Sequence, residues 1–327
     1  MIFKAGATLA WHAACGALAL VVLVASPLLK VDAEAAVICT LSGPTLIFGT
    51  INIFSTSTTS GSATFTCTNT GGSQQIFACL SIGTGTGGTT PSNRTLASGI
   101  NTIPIQITGG ESWPPQIGNG SSYPMEGVVN IRVPGNGSAS KTFSLVVTIP
   151  APSSLPPAGA YASTFTGTDF QVYWNTTSQS TCPALVSAGG TLISSGSFSA
   201  SAVVVNQCSV SATNMNFGSA SLLTSALNAT AQVSVTCNAG IPLTVALDKG
   251  ATGTGPTNRL MTAGTHTVQY GIYKDSAHSQ PWGNTAGVNT ASANGPAASL
   301  TAFGQVPPQP APIPGSYADI VGVTVTY

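Results

Sequence analysis

Charge is what this sequence has least of. Eight Lys and Arg and eight Asp and Glu among 327 residues leave 5% of positions charged and a formal net charge of zero. About a quarter is usual in a soluble protein. The few cations are scattered, which excludes nucleic acid as a partner, because phosphate contacts need clustered Lys and Arg. The same scarcity gives no electrostatic draw to an anionic membrane surface. Histidine is nearly missing too: past the N-terminal region only His266 and His278 remain. No Ser or Cys stands in a nucleophile-elbow context, and no phosphate-loop pattern occurs. The carboxylates are dispersed, so a general acid–base pair would need a coincidence of folding. No enzyme is expected, no catalytic residue is assigned, and no cofactor is implied. C-x-x-C spacing is absent, which argues against zinc or redox work. Long amphipathic stretches are lacking as well, so helices are not expected.

What is present is a repeat. Cys39 leads through Phe48-Gly49 to Thr66-Cys67, and Cys208 leads through Phe217-Gly218 to Thr236-Cys237. After each second cysteine comes a Gly/Thr-rich loop and then Asn-Arg, at Asn93-Arg94 and Asn258-Arg259. Each copy later passes from a Pro-rich loop into a tyrosine-led β segment, at Tyr161 and Tyr317. Two copies of one disulfide-stapled β domain are predicted.

The first 35 residues read as a signal peptide. Lys4 supplies the positive end, Ala17 to Ala25 the apolar stretch, and Ala33-Glu34-Ala35 the small residues at the cut. A membrane span would need about 20 apolar residues, more than this run offers. Without Cys15, six cysteines remain. The repeat selects Cys39–Cys67 and Cys208–Cys237, and elimination leaves Cys79–Cys182. Each intra-repeat bridge closes a loop worth about 3–4 kcal/mol on the chain-entropy account.

Strand patterns fill both copies: Ile76 to Ile82, Ile103 to Ile107, Phe143 to Ile149, Ala229 to Cys237, Leu243 to Leu247, and Val268, Tyr270 and Ile272. Short strands separated by turn signals predict β-sandwiches. The strictest alternation is terminal, with Tyr317, Asp319, Val321, Val323, Val325 and Tyr327 on one face. So apolar a strand, with nothing after it to lie alongside, is expected to leave an edge for something else to cover. The matching stretch of the first copy, Tyr161 to Trp174, slips around Gly167, which a β-bulge would explain. Beyond it lie Ser187 to Ser197 and then Phe198, Ala200, Ala202 and Val204. Two readings stand: a linker (185–197) before a second domain at 198–327, or a return that supplies the last strand of the first domain, 36–184.

The ordered set Phe198 to Val205, Cys208, Phe217-Gly218, Thr236-Cys237, Asn258-Arg259-Leu260, Tyr270-Gly271-Ile272-Tyr273, Trp282-Gly283 and Gly315 to Tyr327 resembles the spore coat protein U family, subunits of archaic, Csu-type chaperone–usher pili. The first copy is similar through Cys39, Phe48-Gly49, Cys67, Asn93-Arg94, Trp113 and Tyr161, and departs at Ile105 and Ser163. The resemblance implies an all-β protein of two tandem immunoglobulin-like β-sandwich domains, the C-terminal one lacking its last strand. It implies a periplasmic pilus chaperone that fills the gap first, an outer-membrane usher, and then a neighbouring subunit that donates a strand. The acceptor would be Tyr317, Val321, Val323, Val325 and Tyr327. Ala36, Val37 and Ile38 precede Cys39 after cleavage, too few to donate in turn. The chain is therefore expected to be exported through the periplasm to the cell surface, as the adhesin at a pilus tip.

The candidate adhesive loops hold Trp113, Pro114, Pro115, Ile117, Tyr123, Pro124 and Met125, and then Leu155, Pro156 and Pro157, with a Gly/Thr loop from Gly83 to Pro91. Rigid apolar loops could meet an abiotic or host surface, at about 25 cal/mol per Å² buried. The alternative is ordinary loop packing, which Trp282 favours for its counterpart Trp113; Ile117 and Leu155 read as exposed. Asn93-Arg94 and Asn258-Arg259 read as turn and packing devices. A structural or adaptor subunit and a secreted carbohydrate-binding module are the competing functions.

Overall fold

The structure is a computed structural model, which describes residues 36–90, 93–109, 127–151, 155–238 and 241–327. The expected signal peptide and the loop residues Trp113, Pro114, Pro115, Ile117, Tyr123, Pro124 and Met125 lie outside them.

Alternation of apolar and small polar residues writes nearly every element as a strand. The first half contains β1 (Val37–Ser42), β2 (Thr45–Thr50), β3 (Ser57–Asn69), β4 (Gln74–Ile82), β5 (Arg94–Ser98), β6 (Asn101–Gly109), β7 (Val129–Val133), β8 (Gly137–Ile149), β9 (Gly159–Thr166), β10 (Phe170–Asn175), β11 (Thr191–Ile193) and β12 (Ser197–Val204). One sheet runs β1-β3-β8-β6-β5-β9-β12-β2, and the facing one β11-β10-β4-β7. The second half contains β13 (Cys208–Ala212), β14 (Leu227–Cys237), β15 (Pro242–Leu247), β16 (Arg259–Ala263), β17 (His266–Tyr273), β18 (Ala291–Asn294), β19 (Ala297–Val306) and β20 (Val323–Thr326). Its sheets run β13-β14-β19-β17-β16 and β18-β15-β20. Each pair of sheets encloses its own apolar core. The chain is two immunoglobulin-like sandwiches in tandem.

Three disulfides staple them: Cys39–Cys67 across β1 and β3, Cys208–Cys237 across β13 and β14, and Cys79–Cys182. Cys182 opens a helix of six residues, α1 (Cys182–Ser187), in a stretch where no helix was expected. Thr181 caps it by accepting from the Ala184 amide at 3.3 Å, and Pro183 sits in the first turn, where its missing N–H costs nothing.

The expected bulge at Gly167 is instead a 3₁₀ turn, Gly167–Asp169, between β9 and β10. It carries the chain from one sheet to the other, because β9 pairs with β12 and β5 whereas β10 pairs with β4. Gly167 allows this with φ +56°. Asp169 then accepts from the Thr84 amide at 2.8 Å.

The segment 185–197 is not a free linker. It holds the second half of α1, then β11, which pairs with β10, and it delivers β12 into the first sandwich. Of the two readings of this stretch, the return is the one found. The first sandwich therefore extends to Val204, past the expected boundary at 198.

Buried arginines fasten equivalent turns in both halves. Arg94 donates through Nε and Nη2 to the Gly83 and Ile82 carbonyls, both at 2.6 Å. Arg259 donates through Nε to the Asp248 backbone carbonyl at 2.8 Å and through Nη2 to the Trp282 backbone carbonyl at 2.9 Å. Burial lowers the pKa of Arg259, against the fields of Tyr270, Asp248 and Asp319. Trp282 is buried and donates Nε1–H to the Val245 carbonyl at 3.0 Å.

Candidate functional site

The informative site is the space between two strands, which the two sandwiches treat differently. In the first, β12 runs antiparallel to β9 and parallel to β2. It turns Phe198, Ala200, Ala202 and Val204 inward, none more than 3% exposed, and leaves Ser199, Ser201 and Val203 between them. Phe198 stacks on Phe165 at 4.3 Å between ring centroids and meets Phe170 edge-on at 5.0 Å. Full burial of one such side chain contributes about 1.5–3 kcal/mol. Close approach is possible because residue 43 is glycine; a Cβ there would lie 2.6 Å from that of Phe198.

In the second sandwich the corresponding walls are Asn214 to Phe217 and Tyr317 to Val321. Phe217-Gly218 repeats Phe48-Gly49, with Gly49 at φ +68° and Gly218 at φ +74°. Gly315, Tyr317 and Asp319 repeat Gly159, Tyr161 and Ser163. Among the described residues no strand lies between these walls. A cavity of about 750 Å³ opens there, lined by Met215, Phe217, Tyr270, Tyr317, Asp319, Val321 and Val323 among others. Tyr161, Ser163 and Phe165 are at most 1% exposed, whereas Tyr317, Asp319 and Val321 are only half-buried.

Of the expected acceptor residues, Tyr317, Val321 and Val323 line this cavity. Val325 lies in β20, pairs with Val245 in the other sheet and packs on the core, while Tyr327 is 54% exposed beyond the strand. The continuous strand expected from Tyr317 to Tyr327 is limited to Val323–Thr326, preceded by an isolated bridge from Ala318 to Thr262. The cause is the missing neighbour: residues 319–322 have no ladder to join on the groove side, so alternation alone does not make them a strand.

Leu155, Pro156 and Pro157 are not a free surface, which corrects that expectation. Leu155 packs against the first core, Pro156 is buried, and the Pro157 carbonyl accepts from the Tyr161 hydroxyl at 2.8 Å. The Pro156 carbonyl accepts from Asn238 Nδ2 at 2.6 Å, across the junction of the sandwiches. Asn238 Oδ1 accepts from the Gln207 amide at 2.7 Å, and Gln207 Nε2 donates to the Ile51 carbonyl at 2.6 Å. This clasp was missed in the sequence. Its signal was there: the two polar residues adjoin Cys208 and Cys237, which hold them together. The Gly83 loop likewise packs along β9, with Thr86 donating to the Thr164 carbonyl at 3.0 Å.

A second missed feature sits on the groove floor. The Tyr270 hydroxyl donates to Asp319 Oδ2 at 2.8 Å, and Asp319 Oδ1 accepts from the Ala251 and Ile320 amides at 2.9 and 2.8 Å. Burial, then the bond and field of Asp319, push the Tyr270 pKa far above the usual phenol value. No cluster of metal-ligating side chains occurs among the described residues.

The chain matches the Spore Coat Protein U domain family twice, over residues 25–168 and 194–324. The second match begins ahead of β12, so the strand that completes the first sandwich belongs in sequence to the second repeat. No protein of curated function matches the chain. Among solved structures, a chain of the CsuC–CsuE chaperone–tip adhesion subunit pre-assembly complex, from the archaic chaperone–usher Csu pili of Acinetobacter baumannii, is similar. It shows 17% identity and a TM-score of 0.51, covering 89% of this chain and 100% of that one. The CupB6 tip adhesin from Pseudomonas aeruginosa aligns over 88% of this chain and 94% of that one, at 13% identity and a TM-score of 0.32.

Proposed function

We propose, for a chain that belongs to the Spore Coat Protein U domain family, that it is the tip adhesin of a chaperone–usher pilus. The second sandwich accepts a strand from a periplasmic chaperone during export and from the next subunit in the fibre, with an outer-membrane usher effecting the exchange. The first sandwich faces outward at the cell surface and makes the contact with an abiotic or host surface. The observation that carries this reading is the unequal pair of grooves: one filled by the chain's own β12, its twin open and lined by half-buried apolar side chains. Strand addition suits such an edge, since backbone hydrogen bonds give affinity and alternate side-chain pockets give specificity. The tip position rests on the same asymmetry. The strand before Cys208 is spent within the chain, so the subunit has a groove to offer and this strand is not free to give away.

The adhesive contact is assigned to the loop with Trp113, Pro114, Pro115, Ile117, Tyr123, Pro124 and Met125. Leu155, Pro156 and Pro157 are left to the junction.

Co-expression with a pilus chaperone tests the proposal. A stable one-to-one complex is expected, with the amides of Tyr317 to Val323 slow to exchange only when the chaperone is bound. A monodisperse monomer with those amides already protected would refute it. Replacement of Trp113, Ile117 and Tyr123 by serine is expected to abolish attachment to polystyrene while leaving the chaperone complex intact.

A further inference from the structure

Resting on the reading of the second groove as a strand acceptor, we infer that the Tyr270–Asp319 pair is a register key for the strand that enters. The incoming segment, from a different polypeptide, lays a small or hydroxyl-bearing residue across from Asp319, with apolar residues two positions to either side.

The filled groove is the template. There Phe198 pairs with Phe165, Ala200 with Ser163, and Ala202 with Tyr161. Ile105, opposite Arg94 in the ladder, forms the floor; Tyr270, opposite Arg259, holds the same place in the second sandwich. Ser163 lies against Gly85, as Asp319 does against Gly250. Two substitutions thus separate the floors, and they are partners: the phenol donates to the carboxylate at 2.8 Å. With the Ala251 and Ile320 amides, the carboxylate is held by three donors before any strand arrives.

A groove of uniformly apolar pockets specifies register weakly, because a slip of two residues keeps the same side chains facing inward. A carboxylate in one pocket breaks that equivalence. A bulky apolar residue over Asp319 would cut it off from water and return no hydrogen bond. Single buried polar groups fix register in coiled coils in the same way.

The first groove needs no such device. Its strand is tethered through β11 and Cys79–Cys182, and Phe198 is gripped by two rings. In the second groove Val321 and Val323 stand where Phe165 and Phe170 do, so shape fixes register less well. The polar pair occurs in the groove whose strand is not tethered. A second copy of this chain is a poor donor, since its β12 is buried in its own sandwich.

The probe is a synthetic peptide of residues 196–206, titrated against the unmodified chain by fluorescence polarisation and by amide exchange at Tyr317 to Val323. Ala200→Leu in the peptide is expected to weaken binding about tenfold or more, and Ala200→Ser to leave it within about threefold. On a Tyr270→Ile/Asp319→Ser chain the leucine penalty is expected to fall to about threefold or less. Asp319→Asn, which keeps the shape, is expected to reduce that penalty as well and serves if the double variant does not fold. Equal binding of the leucine peptide to the unmodified chain, or an undiminished penalty on the variants, would overturn the register key. Failure of the parent peptide to protect Tyr317 to Val323 at all would instead overturn the acceptor reading, and the key with it.

Discussion

The grooves of the two sandwiches differ: one is filled by a strand, and its twin, among the described residues, is open. In the first, β12 arrives from the same polypeptide and Tyr161, Ser163 and Phe165 are sealed to 1% exposure or less. In the second, the equivalent Tyr317, Asp319 and Val321 stay half-buried along a cavity of about 750 Å³. The two sandwiches are fastened alike, since both carry a disulfide across the first ladder and a buried arginine clamp. The difference is connectivity. After β10 the first repeat continues through α1 and β11 back to its own groove, and Cys79–Cys182 pins the start of that return. A tethered strand acts at high effective concentration, of order millimolar for short tethers. The groove is therefore closed without a second molecule.

If that tether is what separates the halves, removing it is the most damaging change. Cys79 and Cys182 are 103 residues apart. Replacing both by serine should cost the first sandwich about 4–5 kcal/mol on the chain-entropy account. Guanidinium unfolding with a probe in each repeat should show the first transition moving and the second unmoved. Next comes a charge inside the filled groove. Ala200 is 0% exposed, and Ala200→Asp places a carboxylate in the sealed groove opposite Ser163. A loss of several kcal/mol, about 3 or more, is expected from taking that charge out of water. The variant should then need a chaperone for both halves, measurable as a two-to-one complex. Retention of a one-to-one complex by a folded Ala200→Asp chain would mean that β12 does not hold the first groove shut.

Most of the architecture was legible because period-two alternation is a local signal. The Ala231, Val233, Val235, Cys237 face of β14 is buried as its spacing predicts. What was not legible is pairing. Phe198, Ala200, Ala202 and Val204 announce a strand but not its partner, since the same inward face suits either sandwich; β9 and β2 decide it. The terminal run failed in the opposite sense. From Tyr317 to Tyr327 the pattern is stricter than in β9, yet a strand needs a continuous ladder, which Val323–Thr326 has and which Ala318, with its single bridge, does not. The Tyr270–Asp319 bond was half visible: Ile105 and Ser163 each departed from the expected pattern, but only the fold shows that the two positions touch. Leu155 to Pro157 were misjudged because proline loops look alike whether they face solvent or another domain.

The junction gives a smaller contrast. Asn238, 1% exposed, follows the second cysteine of its repeat and joins Gln207 to the Pro156 carbonyl. At the same place in the first repeat, Thr68 is exposed and bonds to the Ile38 carbonyl of its own sandwich at 3.2 Å. Asn238→Ala leaves the Gln207 amide and the Pro156 carbonyl short of a partner, for about 1–3 kcal/mol. The expected reading is a wider spread of inter-domain distances in double electron–electron resonance, with both sandwiches still folded. Thr68→Ala should change neither that spread nor stability by more than about 0.5 kcal/mol. Equal effects at the two sites would mean that the end face of the second repeat is no more a docking face than that of the first.

The smallest effect separates the groove floors by pH. Tyr270 has its pKa raised from 10.0 by burial and by Asp319, while its counterpart Ile105 does not titrate. A raised pKa in the folded state means that the unfolded chain releases the proton first. The stability tied to the protonated phenol is thus complete below pH 10 and declines as pH climbs toward the folded value. The loss should reach about 0.8 kcal/mol by pH 10.5. The first repeat contributes its own alkaline decline through Tyr161, whose pKa burial also raises, so the comparison must be made within the second. Tyr270→Phe should lower the stability of that repeat at neutral pH, by removing a bond to a charged acceptor, and should flatten its decline between pH 9.5 and 10.5. A slope unchanged by Tyr270→Phe would mean that the phenol ionises as readily folded as unfolded, and that Asp319 does not hold it.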